Sequence, residues 1–464
     1  MRLICTLFIV IIFFRIPAFS QDFNQEILSF SEYLGYVKKY HPLVSRANLE
    51  IDKAQAALMQ ARGGFDPKIE LDFDTKQFRG SQYYSVLNSS FKIPTWYGIE
   101  VKAAFDNSDG IYLNPQNTSP TQGVTSFGIS VPVAQGLFIN QRIADLKKAK
   151  LQIQMSTSQQ RLFSLEVLYD ASIAYFSWLR QYNEAEMYKE YLYYAEDRYK
   201  GVLKLIAQGD KPAIDSVETG ISVKNRQLNL ENAMLKLNKA RLELSNYLWL
   251  NGTPIEPAEN LKPDVNLFSS IEDILNTRQL YDTQNIIADH PKLRLMETKI
   301  SILDVERRLK ANYLLPKLNL GYYFLNEPSY FSTFTPNDYK LGVNFSFPIF
   351  LRQERGALNL TKLKLRESKF ELQQETLQIK NKIDAQQLEK TSLKKQSGML
   401  DNLVKDYQKM LEAEERLFSF GESSIFVLNS RENNLITAKI QQISVENSFL
   451  VSNADLFKIM AMMN

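Results

Sequence analysis

The sequence has little histidine and almost no cysteine, with two histidines and one cysteine among 464 residues. These numbers exclude a zinc or iron–sulfur framework built from several such ligands, and a disulfide would need a second thiol. Proline and glycine are also scarce, at 16 and 18 residues, which permits long uninterrupted helices and strands. The 55 basic and 52 acidic side chains nearly balance, so no basic excess points to nucleic acid as a partner.

Only the N-terminus carries a long apolar run. Arg2 precedes the apolar stretch 3–14, and a small-x-small sequence ends at Ser20. This layout is typical of a secretory signal peptide, so we predict cleavage after Ser20, which would also remove Cys5. No later window offers about 18 uninterrupted apolar residues, so we expect no membrane-spanning helix. The chain is predicted to be exported and to meet any membrane through strands or an amphipathic surface.

Motifs of catalysis are missing from the sequence. It has no glycine-rich phosphate loop and no Gly-x-Ser-x-Gly elbow, and Arg62-Gly63-Gly64 stands in the wrong context for either. The carboxylates are spread along predicted helix faces at spacings typical of solvated charge. We therefore predict no catalytic residue, no metal site, no cofactor and no enzyme activity.

Two His-Pro pairs indicate an internal two-fold repeat. The only histidines each precede a proline, at His41-Pro42 and His290-Pro291, and the pairs lie 249 residues apart. Because proline is favoured in the first turn of a helix, each pair predicts a helix start. A lone histidine beside such a proline is more often a capping or junction residue than a metal ligand. We predict that structural role for His41 and His290.

Two glycines mark a second pair of equivalent positions. Gly209 and Gly421 each follow a long helical stretch, and they lie 212 residues apart. This offset is 37 residues shorter than the first, so the first half contains an insertion about as long as one β-hairpin with its loops. Each glycine predicts a turn between a long helix and a returning one.

Heptad periodicity predicts the long helices. Nearly every seventh residue from Leu351 is apolar for about eight heptads, which implies left-handed supercoiling against neighbours. A second apolar stripe at Leu363, Phe370 and Leu377 predicts a helix packed on both sides, as in a closed ring of helices. The long helices are predicted at 138–208 and 350–420, and the returning helices at 212–250 and 423–462.

Between its short and long helices, each half carries segments of alternating polarity. Four such segments fall within 68–133 and two within 317–347, each about 10 residues long with aromatic residues at their ends. Membrane-crossing strands fit this pattern, and so does a soluble sheet with one buried face. Six strands are too few to close a pore, since a single-chain barrel needs about eight, so a membrane barrel would have to be shared between chains.

The predicted organisation is an α+β membrane protein with an internal two-fold repeat. Its long coiled-coil helices would form an α-barrel, and its strands would contribute to a shared trimeric transmembrane β-barrel. After the signal peptide 1–20, the first repeat covers 21–250, a linker at mid-height covers 251–289, and the second repeat covers 290–464.

This chain resembles the TolC-like outer membrane efflux factor family over essentially its whole mature length. The resemblance is carried by the His-Pro starts, the Pro-Lys strand openings at Pro67 and Pro316, the strand-closing prolines Pro132 and Pro348, and the turn glycines. It implies a homotrimer in outer membrane lipid, with a β-barrel continued by an α-barrel across the periplasm. It also implies a periplasmic adaptor protein and an inner-membrane pump as partners. The adaptor would dock on the helix tips, at Gln208, Gly209, Asp210, Phe420, Gly421 and Glu422.

The sequence departs from the family pattern in two ways. The extra hairpin would give a trimer 18 strands if all strands join, against 12 with two strands per repeat, and the sequence leaves both possibilities open. Family members often carry acidic residues six and nine positions after the second tip glycine, where this chain has Val427 and Ser430. The equivalent residues of the first repeat are Asp215 and Glu218, and these four are the candidate periplasmic constriction.

We therefore predict a passive exit duct of a tripartite efflux or type I secretion system, located in the outer membrane with a long periplasmic extension. The alternative is a periplasmic coiled-coil scaffold or adaptor protein that never forms a membrane pore. An adaptor would be expected to carry one helical hairpin flanked by β modules, whereas this chain predicts two complete repeats.

Overall fold

A computed structural model describes residues 27–278, 283–328 and 336–461. The predicted signal peptide, with Cys5, lies outside these residues. Within the described ranges, no helix combines the length and the apolar character needed to cross a membrane.

Two very long helices dominate the molecule. Helices α3 and α8 contain 67 and 68 residues, so each is about 100 Å long. Each is followed by a shorter returning helix, α4 or α9. The helices of the described ranges are α1 Phe30–Tyr40, α2 Pro42–Gly63, α3 Gln141–Ala207, α4 Ile214–Ser245, α5 Leu267–Ile274, α6 Thr283–Ala288, α7 Pro291–Asn312, α8 Arg352–Ser419 and α9 Ile425–Met460.

Six strands form one antiparallel sheet in the order β10-β9-β5-β4-β3-β2. The remaining strands are two-residue pairs near the middle of the molecule. The strands are β1 Ile27–Leu28, β2 Lys68–Phe78, β3 Ser81–Pro94, β4 Glu100–Asp109, β5 Val124–Pro132, β6 Trp249–Leu250, β7 Thr253–Pro254, β8 Lys262–Pro263, β9 Lys317–Asn326 and β10 Tyr339–Ser346.

The register of this sheet separates an apolar face from a polar one. Directly paired residues share a face, and successive residues of a strand alternate between faces. One paired row of the apolar face consists of Ile69, Phe91, Ala103, Phe127, Phe324 and Tyr339. The adjacent row of the opposite face consists of Lys68, Lys92, Lys102, Gly128, Tyr323 and Lys340. Parity along a single strand could not make this assignment, because a slip of one residue exchanges the faces.

The helices form one layer of four columns. Helix α3 packs against α2, α4, α7 and α9, while α8 packs against α7 and α9. Contacts between helix ends place α2 on the end of α4, and α7 on the end of α9. The columns are therefore α4 with α2, then α3, then α9 with α7, then α8.

The two outer columns expose apolar stripes at heptad spacing. On α4 the stripe is Ile214, Ile221, Leu228, Leu235 and Leu242. On α8 the predicted second stripe of Leu363, Phe370 and Leu377 is exposed, and Leu403, Met410 and Leu417 follow nearer the tip. Among the residues that the structure describes, none covers these stripes at either edge of the layer.

The largest core cluster lies at mid-height, where α1 and α5 pack against α3 and α9. Its biggest fully buried side chains are aromatic, and they are Phe30, Tyr33, Tyr175, Phe176, Trp178 and Phe449. Segment 251–289, which the sequence presents as a linker, contains β7, β8 and α5 near this cluster, and α6, which packs in a separate cluster with α8. These elements escaped sequence analysis because two to eight residues are too short to establish a period.

The first returning helix is shorter than predicted. It ends at Ser245 with its C-cap at Asn246, and the expected continuation to residue 250 is wrong. The cause is the turn at Asn251-Gly252, where both residues have positive φ, 50° and 86°. This conformation suits a two-residue hairpin, so β6 pairs with β7 across it instead of extending α4.

Candidate functional site

The candidate site is the end of the helical layer farthest from the sheet, where α3 turns into α4 and α8 turns into α9. Gly209 terminates α3 in the left-handed conformation, with φ at 84°. Its N–H donates to the Ile206 carbonyl at 3.0 Å, and the Asp210 N–H donates to the Leu205 carbonyl at 2.9 Å. These two bonds are the Schellman pattern, which satisfies the last carbonyls of a helix.

The second tip repeats this geometry residue by residue. Gly421 has φ at 78°, its N–H donates to the Phe418 carbonyl at 3.1 Å, and the Glu422 N–H donates to the Leu417 carbonyl at 2.9 Å. A Cβ built on either glycine would meet no atom within 4 Å. Glycine is therefore required at the tips by backbone conformation alone, since side chains disfavour positive φ.

The helices restart differently after the two turns. At the start of α9 the Ser424 hydroxyl accepts a hydrogen bond from the Val427 N–H at 3.4 Å. At the start of α4 the N-cap position is Ala213, which has no side-chain cap. A serine cap stabilises a helix by about 1 kcal/mol relative to alanine. The start of α4 is therefore less stable than the start of α9.

The two tips lie side by side and present apolar surface. Lys211 Nζ of the first tip sits 4.7 Å from the centre of the Phe418 ring of the second. Phe420 is 77% exposed and Phe426 is 71% exposed. The six residues predicted to dock an adaptor are all exposed, namely Gln208, Gly209, Asp210, Phe420, Gly421 and Glu422.

The four constriction candidates lie in the first turns of the returning helices. Asp215 and Glu218 are half-buried on α4, while Val427 is half-buried and Ser430 exposed on α9. No hydrogen bond or ion pair joins the α4 pair to the α9 pair within the described part of the chain. The structure thus places all four near the tips.

A buried cluster of charges above the tips was not predicted from the sequence. Glu432 of α9 is 1% exposed and accepts from Arg198 of α3 at 3.2 and 3.3 Å. It also accepts from Arg226 of α4 at 3.3 Å, and Arg226 donates to the Asn433 side chain at 2.7 Å. We call Arg198, Arg226, Glu432 and Asn433 the Glu432 clamp, because it ties three helices together.

The sequence did contain a signal for this clamp. Glu432 stands between Leu428 and Leu435 at spacings of four and three, on the apolar stripe of α9, and all three are buried. A carboxylate on such a stripe must find a cation, because burying an unpaired charge is very costly. Glu415 of α8 approaches Arg198 at 3.7 Å, and burial raises the pKa of its carboxyl despite that arginine.

The two histidines join the stacked helices at mid-height. His41 and His290 are each 5% exposed at the N-caps of α2 and α7. Their Nε2 atoms lie 3.2 Å from the Asn246 carbonyl and 3.0 Å from the Ile459 carbonyl, at the ends of α4 and α9. Each histidine therefore bonds the end of one helix while it caps the start of the next.

The same geometry fixes the protonation of both rings. Nδ1 accepts from the N–H of Leu43 at 3.3 Å in one ring and of Lys292 at 3.2 Å in the other. An accepting Nδ1 places the proton on Nε2, so each ring is neutral and donates to its carbonyl. Burial lowers the pKa of both histidines. For His290, Lys292 and Arg161 lower the pKa further while Glu375 opposes them.

No cluster of histidine and carboxylate side chains in the described ranges could hold a metal ion. The ring nitrogens of His41 and His290 are instead both engaged with the backbone. The histidines thus join stacked helices through backbone hydrogen bonds, whereas the tip glycines are exposed.

Comparison with known proteins identifies a matching family. The profile of a family described as "Outer membrane efflux protein" matches residues 37–248 and 283–461. No functionally curated protein matches the sequence.

Several solved outer membrane proteins share the fold at low identity. The CmeC outer membrane channel of Campylobacter jejuni is 14% identical with a TM-score of 0.65, covering 93% of this chain and 85% of its own. The open state of the MtrE outer membrane channel of Neisseria gonorrhoeae is 12% identical with a TM-score of 0.66, covering 93% and 88%. The outer membrane protein VceC of Vibrio cholerae is 10% identical with a TM-score of 0.64, covering 93% and 95%. At these identities the structures show the fold alone.

Proposed function

This chain belongs to the outer membrane efflux protein family and serves as the outer membrane exit duct of a tripartite efflux system, and we propose that three copies of it close one continuous barrel. The observation that carries the trimer proposal is the pair of exposed apolar stripes on the outer columns, α4 and α8. A duct needs a closed wall, and a single layer of four columns is open at both edges. The alternative without a pore is a periplasmic scaffold or adaptor.

The helical edges fit each other as a head-to-tail interface. The α4 stripe and the α8 stripe lie at opposite edges of the layer, and both have the seven-residue spacing of coiled-coil seams. Contacts between two different surfaces of one protein close into rings when the rotation between copies allows it. In the trimer, α4 of one copy packs against α8 of the next, and twelve columns form the periplasmic α-barrel.

The sheet supplies the outer membrane wall of this duct. Its apolar face carries Phe91, Phe127 and Phe324 across three strands, and this face turns toward lipid. The opposite face carries Lys92 and Lys102 and lines the water-filled lumen. Conduction is passive, and no bond is made or broken.

The tips are the docking site for a periplasmic adaptor protein, beyond which lies the inner-membrane pump. Phe420 and Phe426 are large exposed apolar side chains beside Glu422 and Gln208, and such surfaces suit groove-type contact with helical hairpins. Asp215, Glu218, Val427 and Ser430 line the narrow end of the duct. Because the only acidic residues among these four come from α4, the constriction carries two carboxylates per copy.

An internal duplication accounts for the shared order of elements in the two halves. Each half runs from a 22-residue helix through strands to a very long helix and a returning one. His41 and His290 make the same two backbone bonds in the two halves. The tip turns at Gly209 and Gly421 are also alike, and these identities support one ancestral unit.

The test of the trimeric duct is single-channel conductance of the purified mature protein in planar bilayers, together with its mass in detergent. We expect a trimer that inserts and conducts. Leu228→Glu with Leu235→Glu on the α4 stripe should reduce the trimer to smaller species, whereas Tyr193→Glu, at an exposed site on the inner column α3, should not. A water-soluble species that never inserts would overturn the duct and favour the scaffold.

A further inference from the structure

Within the described residues the first half of the chain carries one hairpin more than the second, and the hairpin β2–β3 forms one edge of the sheet. We propose that this hairpin belongs to the wall of the outer membrane barrel, and that β2 pairs with β10 of a second copy of this chain, so that a trimer closes 18 strands. The inference rests on the proposed trimeric duct and goes beyond it, because a shared barrel could equally close without the hairpin.

Register is the first support for this inference. Ile69 of β2 pairs with Phe91 of β3, which pairs with Ala103 of β4, so the apolar face continues without interruption into the hairpin. The polar face continues in the same way through Lys68, Lys92 and Lys102. If the hairpin lay outside the barrel wall, its apolar and polar faces would not have to coincide with those of the other strands.

The apolar side chains of β2 argue for a lipid environment. Ile69, Leu71 and Phe73 are 81%, 69% and 57% exposed on the outermost strand. If the hairpin folded into the lumen as a plug, or hung in the periplasm, these three side chains would face water. In the wall they continue the lipid-facing rows, and burying each in lipid is favourable by about 1.5–3 kcal/mol.

Strand direction makes β2 and β10 suitable partners. Strand β2 follows α2 and runs away from the helices, while β10 runs back toward them and leads into α8. The two edge strands of one sheet are therefore antiparallel to each other. Pairing β10 of one copy with β2 of the next continues the alternation around the ring, as closed barrels of even strand number require.

The perimeter of the helical layer agrees with six strands per copy. Four helical columns spaced by 8–10 Å span about 36 Å of wall. Six strands tilted by about 40° span about 38 Å, whereas four would span about 25 Å. The hairpin thus lets the sheet cover the same arc as the helices to which it is joined.

Cysteine cross-linking in the full-length trimer tests the pairing. The only cysteine is Cys5, which the predicted signal cleavage removes, so introduced thiols would be the only ones. One series combines Asp72→Cys on β2 with single cysteines at Lys340, Gly342 or Asn344 on the polar face of β10. The matched series replaces Asp72→Cys by Asp106→Cys, because Asp106 occupies the same row two strands inward.

The readout is covalent dimers and trimers in denaturing gels after treating native outer membranes with a thiol cross-linker shorter than three strand spacings, about 14 Å. We expect ladders with Asp72→Cys and none with Asp106→Cys. Ladders with Asp106→Cys alone would show that β4 meets β10, which overturns the 18-stranded wall and leaves the shared barrel standing. No ladder in either series, from variants with the wild-type mass in detergent, would overturn both the hairpin pairing and the shared barrel.

Discussion

The helical layer is interrupted at two kinds of place, and these differ in how the break is held. At the mid-height joints, His41 and His290 lie buried and bond both helices that meet there. At the tips, Gly209 and Gly421 lie exposed, and the bonds that close each glycine turn are between backbone groups. A break in a helix is therefore not in itself a hinge. The joints are held by buried side chains that bond both helices, whereas each tip is an exposed turn.

The Glu432 clamp marks the boundary between these regions. It lies about 10 Å along α9 from Ile425, at 1.5 Å per residue, and it fixes α3, α4 and α9 to one another. Below the clamp, the tips contain few buried side chains. Opening of the periplasmic end is accordingly expected to involve the segments below the clamp, with the joints unchanged.

The largest effect should come from breaking the clamp. Glu432→Gln removes the carboxylate that Arg198 and Arg226 share. Arg198 keeps Glu415 at 3.7 Å, but the buried Arg226 loses its counter-charge, which costs about 3–5 kcal/mol. We expect a marked fall in the denaturant midpoint of the protein and faster amide exchange in α4 and α9 near the tips. Glu422→Gln at the exposed tip is the matched control, and an equal loss in both variants would contradict the assigned role of the clamp.

Breaking a joint should have the next largest effect. His290→Ala removes the cap of α7 and leaves the Ile459 carbonyl without its donor, which together cost about 2–3 kcal/mol. Thermal unfolding of the trimer measures the loss. His290→Asn, which can still cap α7 but is too short to bridge, should fall between wild type and alanine. If asparagine were as stable as wild type, the bridge to α9 would contribute nothing, and if alanine and asparagine were equivalent, the cap would contribute nothing.

A substitution at a tip should lower the stability less than the changes at Glu432 or His290, but it should impair transport more. Gly421→Val forces a β-branched residue into positive φ, at about 1–2 kcal/mol, without removing any contact. We expect a folded trimer with impaired efflux, measured as accumulation of a transported dye in cells. Gly398→Val is the control, since Gly398 lies inside α8 with open space around it. Full transport by Gly421→Val would count against tip movement as the gate.

The smallest effect should be a dependence on pH at the joints. Burial holds the pKa of His41 and His290 below the ordinary 6.5, so the unfolded chain takes up protons first as the pH falls. The stability that the neutral rings contribute is complete above about pH 6.5 and is lost as the pH falls through their folded-state pKa. Burial raises the pKa of Asp170, Glu415 and Glu446, and these acids act in the opposite direction.

The difference between wild type and a double His41→Gln, His290→Gln variant isolates the histidine contribution. Unfolding midpoints measured between pH 7.5 and 5 should converge as the pH falls, because only wild type has neutral rings to lose. Parallel curves would show that the rings do not titrate differently in the folded protein.

Much of the fold follows from local sequence patterns. The heptads of α3 and α8, the alternation of β2 and β9, and the turn glycines each extend over enough residues, or require a special enough backbone, to be recognised. The predicted bounds of the long helices, 138–208 and 350–420, compare with Gln141–Ala207 and Arg352–Ser419 in the structure.

Features that depend on distant residues could not be predicted in the same way. The Glu432 clamp joins residues more than 200 positions apart, and neither arginine stands out from the other charges of its helix. Assigning the sheet faces needed the register between strands, which no single strand contains. The bridging role of His290 depends on Ile459, which only the folded column places beside it.

The open edges of the sheet also bear on how the protein reaches its membrane. A newly secreted copy, before it meets its neighbours, exposes two unpaired strands, and such edges are templates for aggregation. Strand β2 carries five charged side chains among eleven residues, which discourages pairing with itself, whereas β10 carries only Lys340 among eight. We therefore expect β10 to be the more aggregation-prone edge of a single chain before assembly.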